Sequence, residues 1–168
     1  MSPTLPNSSS AASGAFIGDG VQFARDGRAI SGMIEIDRLP RITAVGASSG
    51  QLKYSIAGFV NALGYPSFHV TVDGSIALTC QRCLEPVAVR VAVNSDLELR
   101  ETLEEIEGAD DDVDRLLAVK SMDVIALVED EVLLELPMVV RHEACEHSGD
   151  EAGRSKRVSP FASLAKRR

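Results

Sequence analysis

Cys80-Gln81-Arg82-Cys83-Leu84-Glu85-Pro86 separates two long runs of alternating hydrophobicity, and its place between them decides the fold. Before it, Phe68, Val70, Val72, Ile76, Leu78 and Cys80 share one parity, while His69, Thr71, Asp73, Ser75 and Thr79 share the other. After it, Val87, Val89, Val91, Val93, Leu97 and Leu99 continue the alternation, with Arg90, Asn94 and Glu98 facing away. A period of two sends successive side chains to opposite faces, so each run reads as a half-buried strand, and the short corner between them predicts an antiparallel pair. Gly74 interrupts the first run, which predicts a bulge or bend where the sheet curls.

Working outward, Gly64-Tyr65-Pro66 turns the chain into this pair from a strand over residues 52–62. Residues 30–36 and 21–24 read as two earlier strands linked by the turn-forming Asp26-Gly27. Residues 1–20, rich in Ser, Ala, Gly and Pro, read as a disordered N-terminal segment. Downstream, Leu116-Leu117-Ala118-Val119 predicts a short final strand. Asp123 then caps a helix over 123–136, in which Val124, Leu127, Val128, Val132 and Leu136 share a face and Glu129, Asp130 and Glu135 oppose it, until Pro137 ends it. The expected class is therefore α+β: a curved antiparallel β-sheet or partly closed barrel carrying one amphipathic C-terminal helix. A single domain over 21–145 is followed by a flexible basic tail, 146–168.

At 168 residues and 45% hydrophobic content the chain suits one core, although only 4% of residues are aromatic. No apolar run reaches membrane length and the first residues lack the features of a secretory signal, so a cytoplasmic protein without a membrane partner is expected. Three cysteines, an odd number, fit reduced thiols or a metal better than a disulfide framework. The net charge of -8 is unevenly spread: residues 154–168 hold six bases and no acid, leaving -14 on the remainder. An acidic body repels phosphate backbones, whereas a basic tail suits nucleic acid or an acidic protein surface. Eight acids between Glu101 and Asp114 read as a solvated connector, with a nucleic-acid mimic or a clasp for the basic tail as the sharper reading.

Cys80 and Cys83 at a tight corner have the spacing of a zinc knuckle, in which both thiolates turn toward one ion. Cys145 is then the third ligand, and His142 or His147 the fourth. Reduced thiols without metal and a redox pair stand as the other readings, the last weakened because the motif opens a strand and not a helix. Arg82, beside the thiols, is a candidate partner contact. Ser159 and Pro160 suit a helix start, after which Phe161 and Leu164 fall on one face, followed by Lys166, Arg167 and Arg168; this ending reads as a docking peptide that folds against a partner. No phosphate-cradling glycine loop, zinc-protease motif or nucleophile elbow is present, so no small-molecule substrate or catalytic residue is assigned.

The corner C-x-R-C-L-E-P-V, the stretch from Met122 to Pro137, the pair His142 and Cys145, and Ser159-Pro160-Phe161-Ala162-Ser163-Leu164 together resemble the signature of the YceD family, as do Gly32 and Arg38-Leu39 near the N-terminus. The resemblance implies a non-enzymatic role in the synthesis, processing or accumulation of large-subunit (23S) ribosomal RNA. It also implies partners among a ribosomal precursor particle, a ribosomal protein or the large-subunit rRNA itself. The competing readings are a zinc- or thiol-dependent enzyme acting on RNA or protein, and an acidic chaperone or adaptor without RNA contact.

Overall fold

A computed structural model describes residues 15–108 and 112–145. Five strands form one curved sheet in the order β2-β3-β4-β5-β6: β2 Ala29–Glu35, β3 Ala47–Val60, β4 Pro66–Thr79, β5 Pro86–Arg100 and β6 Arg115–Leu117. Two shorter strands, β1 Phe16–Asp19 and β7 Lys120–Asp123, pair separately. The helices are α1 Gly20–Arg25, α2 Pro40–Ala44, α3 Leu103–Glu107 and α4 Val124–Glu135. The class is α+β with a C-terminal helix, and the sheet stays open without closing into a barrel.

The long hairpin follows directly from the alternation. β4 and β5 pair antiparallel from Ser67 opposite Glu98 to Thr79 opposite Pro86, burying Phe68, Val70, Val72 and Ile76 with Val91 and Val93. Full burial of such side chains contributes about 1.5–3 kcal/mol each. Register runs through Gly74 without a bulge; the irregularity lies at Ala47/Ser49. Gly74 is required for another reason, because a Cβ there would stand 2.4 Å from the Gln51 carbonyl oxygen.

Several expectations give way to packing. The sheet is mixed and not purely antiparallel, since β6 joins β5 in parallel, reached through α3. Part of the acidic connector is thus helical, started by a capping box of Thr102 and Glu105. The expected strand at 21–24 is α1, and β1 precedes residue 21. Asp19 accepts a hydrogen bond from the Gln22 N–H at 2.8 Å, and Phe23 packs edge-to-face on Phe68 with ring centroids 5.7 Å apart. Among the described residues α4 is joined by three shorter α-helices and by a 3-10 helix, Ile36–Arg38.

Helix α4 begins where Asp123 accepts from the N–H groups of Ile125 and Ala126. Its apolar residues Val124, Leu127, Val128 and Val132 are buried, but so are Glu129 and Glu131, and Leu134 is exposed. Glu129 does not face solvent because α2 covers it: one carboxylate oxygen accepts from the backbone N–H of Arg41 and of Ile42, the other from Arg41 Nε at 3.0 Å. Behind β5, buried Glu98 takes hydrogen bonds from Asn61 Nδ2 at 2.7 Å and from Arg100, with Arg115 Nε at 3.4 Å. Arg100 also lies over the Tyr65 ring, 3.6 Å from its centroid. Glu98 thereby ties the end of β5 to β6.

Candidate metal centre

The β4–β5 corner is a tight loop. The Cys80 N–H donates to the Glu85 carbonyl at 2.9 Å and the Leu84 N–H to the Cys80 carbonyl at 3.0 Å. Leu84 takes a left-handed conformation, φ 65°, to close it. From the other side, the chain leaving α4 passes Pro137 and returns beside the corner, where the Gln81 N–H donates to the Val140 carbonyl at 2.9 Å. These backbone bonds, and not local sequence, bring residues 142–145 to residues 80–83.

The ligand atoms of Cys80, Cys83, His142 and Cys145 all lie within 4.8 Å of one another. Cys80 Sγ is 3.9 Å from Cys145 Sγ, and Cys83 Sγ is 3.4 Å from His142 Nδ1. Zinc–sulfur bonds of about 2.3 Å and zinc–nitrogen bonds of about 2.0–2.1 Å, at tetrahedral angles, require sulfur–sulfur edges of about 3.8 Å and sulfur–nitrogen edges of about 3.5 Å. The Cys80–Cys145 and Cys83–His142 edges fit these values, within a set that spreads to 4.8 Å. His142 Nε2 lies 3.1 Å from the Pro86 carbonyl oxygen, which accepts only from a protonated nitrogen. The proton therefore belongs on Nε2, and Nδ1 keeps its lone pair toward the cysteines.

Electrostatics favour a cation among these groups. The Cys80 thiol is lowered from 9.0 to about 5, chiefly by the backbone N–H of Cys83 and, after the opposing effect of burial, by those of Arg82 and His142. The Arg82 N–H donates to Cys80 Sγ at 3.5 Å. Cys145 is pushed up, first by burial and then by the neighbouring Cys80 sulfur. One thiolate forms readily and opposes the next, a conflict that a bound cation removes. Three cysteine sulfurs, soft donors, and one borderline imidazole nitrogen form a set that suits zinc and can hold a metal ion.

Of the other sites singled out in the sequence, Arg82 lies exposed on the corner. Phe161, Leu164, Lys166, Arg167 and Arg168, together with His147, lie outside the described residues. Arg90 pairs with Asp73 at 3.3 Å on the exposed sheet face, and His69 Nδ1 with Asp96 at 2.6 Å. The sequence did not reveal the Pro86 and Val140 carbonyls, since backbone groups carry no side-chain signal.

A family model described as large ribosomal RNA subunit accumulation protein YceD matches residues 68–166, more than half of the chain. That span holds most of β4, all of β5, the corner and α4, and so includes all four converging ligands. No curated protein and no solved structure matches.

Proposed function

The chain belongs to the YceD family, and on that ground we propose that it supports the accumulation of large-subunit ribosomal RNA as a non-enzymatic assembly factor. The family match over 68–166 is the observation that carries this reading. Charge supports contact through a protein component of the precursor particle. Residues 146–168 hold six bases and three acids, so residues 1–145 carry -11 of the net -8, a body that repels bare RNA and attracts basic proteins. Arg82, Phe161, Leu164, Lys166, Arg167 and Arg168 are assigned to the partner contact.

Cys80, Cys83, His142 and Cys145 are assigned to a structural zinc. Four protein donors fill a tetrahedron and leave no coordination position for a substrate, the arrangement of a fastener and not of a catalyst. When bound, zinc supplies a cross-link between the β4–β5 corner and the segment after α4. The chain's own backbone supplies the rest, holding the corner closed and fixing the His142 tautomer through Pro86.

Affinity purification of the tagged protein from cells, with sequencing of co-purified RNA and identification of proteins, tests the proposal. Large-subunit precursor RNA with its early-binding proteins is the expected catch. A single metabolic enzyme with no ribosomal material would overturn it.

A further inference from the structure

Between α4 and the β5–β6 edge runs a groove of about 400 Å³ that the metal centre does not use. Leu116, Leu127 and Leu134 give it apolar surface, while Asp114, Glu131 and Glu135 bring carboxylates to the same walls. Asp130 also lines it but is held by Arg41 at 2.6 Å, and the lining base, Arg115, is turned to Glu98 at 3.4 Å. Glu131 differs from these: it is 7% exposed and has no hydrogen-bond or ion-pair partner among the described residues. Its carboxylate oxygens still reach solvent in the groove, so they present negative charge to a cation delivered there. Leucines beside solvent-facing carboxylates suit an occupant with apolar anchors followed closely by positive charge.

The chain carries such a segment. Phe161 and Leu164, one helical turn apart, are followed by Lys166, Arg167 and Arg168. Fifteen residues separate Cys145 from Phe161, which span about 21 Å as a flexible coil and about 50 Å when extended. Helix α4 is about 18 Å long, and Cys145 follows its cap, Leu136, by nine residues, so the whole groove lies within reach. We propose that the groove binds the chain's own C-terminal segment, with Phe161 and Leu164 on the leucines and a terminal cation at Glu131. Because the assigned partner contacts are in this segment, a partner must compete with the groove for them.

The test replaces Phe161 of the full chain with a photoreactive benzoylphenylalanine and maps cross-links in the purified protein. Mixing heavy- and light-isotope chains separates links within one chain from links between two. Links within one chain to Leu116, Leu127 or Leu134 are expected. Glu131→Gln, which preserves shape, should reduce their yield several-fold, and Leu134→Ser should do the same. Links to the apolar surface of Leu133, Leu136 and Val140, links only between chains, no links, or a yield indifferent to both substitutions would each overturn the proposal. The ribosomal reading would survive any of those results, since no ribosomal component is present.

Discussion

His142 sits between two fixed points: its Nδ1 lies 3.4 Å from Cys83 Sγ and its Nε2 lies 3.1 Å from the Pro86 carbonyl oxygen. Cys83 and Pro86 belong to the same corner, so one ring reads the position of both a thiol and the first residue of β5. His142→Asn keeps a donor but loses the ring nitrogen aimed at the cysteines. We expect the purified protein to hold about one zinc per chain, as a single four-ligand site requires, and the variant to hold markedly less at equal chelator. Elemental analysis with a competing chromophoric chelator measures both, and equal zinc retention would remove His142 from the ligand set.

Without metal, Cys80 makes stability depend on pH. Its folded-state value of about 5 lies below the ordinary 9.0, so between those limits the unfolded chain binds more protons. Stability conferred by Cys80 is complete above the unfolded value, declines as pH falls, and is lost as pH passes down through the folded value. The raised value of Cys145 acts in the opposite sense, and only at the alkaline end. Urea midpoints of chelated protein should rise from pH 5 to pH 8, and Cys80→Ser should flatten that slope.

Glu98 is 4% exposed and faces Arg100 and Arg115, whose side chains are also largely buried. Glu98→Ala removes the buried acid that both guanidinium groups face, a loss of about 3 kcal/mol in chemical denaturation. Hydrogen exchange should rise first at β6, which β5 holds by a parallel register of only three residue pairs. Uniform loss of protection across the sheet would instead give Glu98 a global role.

Gly74→Ala brings a methyl group to 2.4 Å from the Gln51 carbonyl oxygen and 2.8 Å from Leu52 Cδ2. The carbonyl belongs to the neighbouring strand and cannot rotate away, so β3 and β4 must separate locally. A loss of about 2 kcal/mol follows. Thermal unfolding checks it, and an unchanged midpoint would show that the sheet absorbs the methyl group by shifting.

Long alternation made β4 and β5 legible, and a cap followed by helical spacing made α4 legible, because each pattern extends far enough to select one period. Val21-Gln22-Phe23-Ala24 is too short to do so, and its helix depends on Asp19 before it and Phe68 across from it. Glu129 and Glu131 were hidden for a different reason. A single-faced helical projection does not represent α4, which meets the sheet on one side and α2 on another. The parallel pairing of β6 depends on a crossover through acidic residues that resemble a plain connector. The thiols and imidazole stand out by residue type, whereas their convergence comes from the Gln81 to Val140 backbone bond.

Cys80 and Cys145 are 65 positions apart, and β5, α3, β6, β7 and α4 lie between them. During vectorial synthesis the first half of the ligand set leaves the ribosome long before the second. A metal ion bound at this site would complete its four-ligand set only once Cys145 has emerged. Such closure would register that the intervening chain is present and correctly returned, and a polypeptide stopped short of residue 145 would be left with two unmatched thiols at the β4–β5 corner.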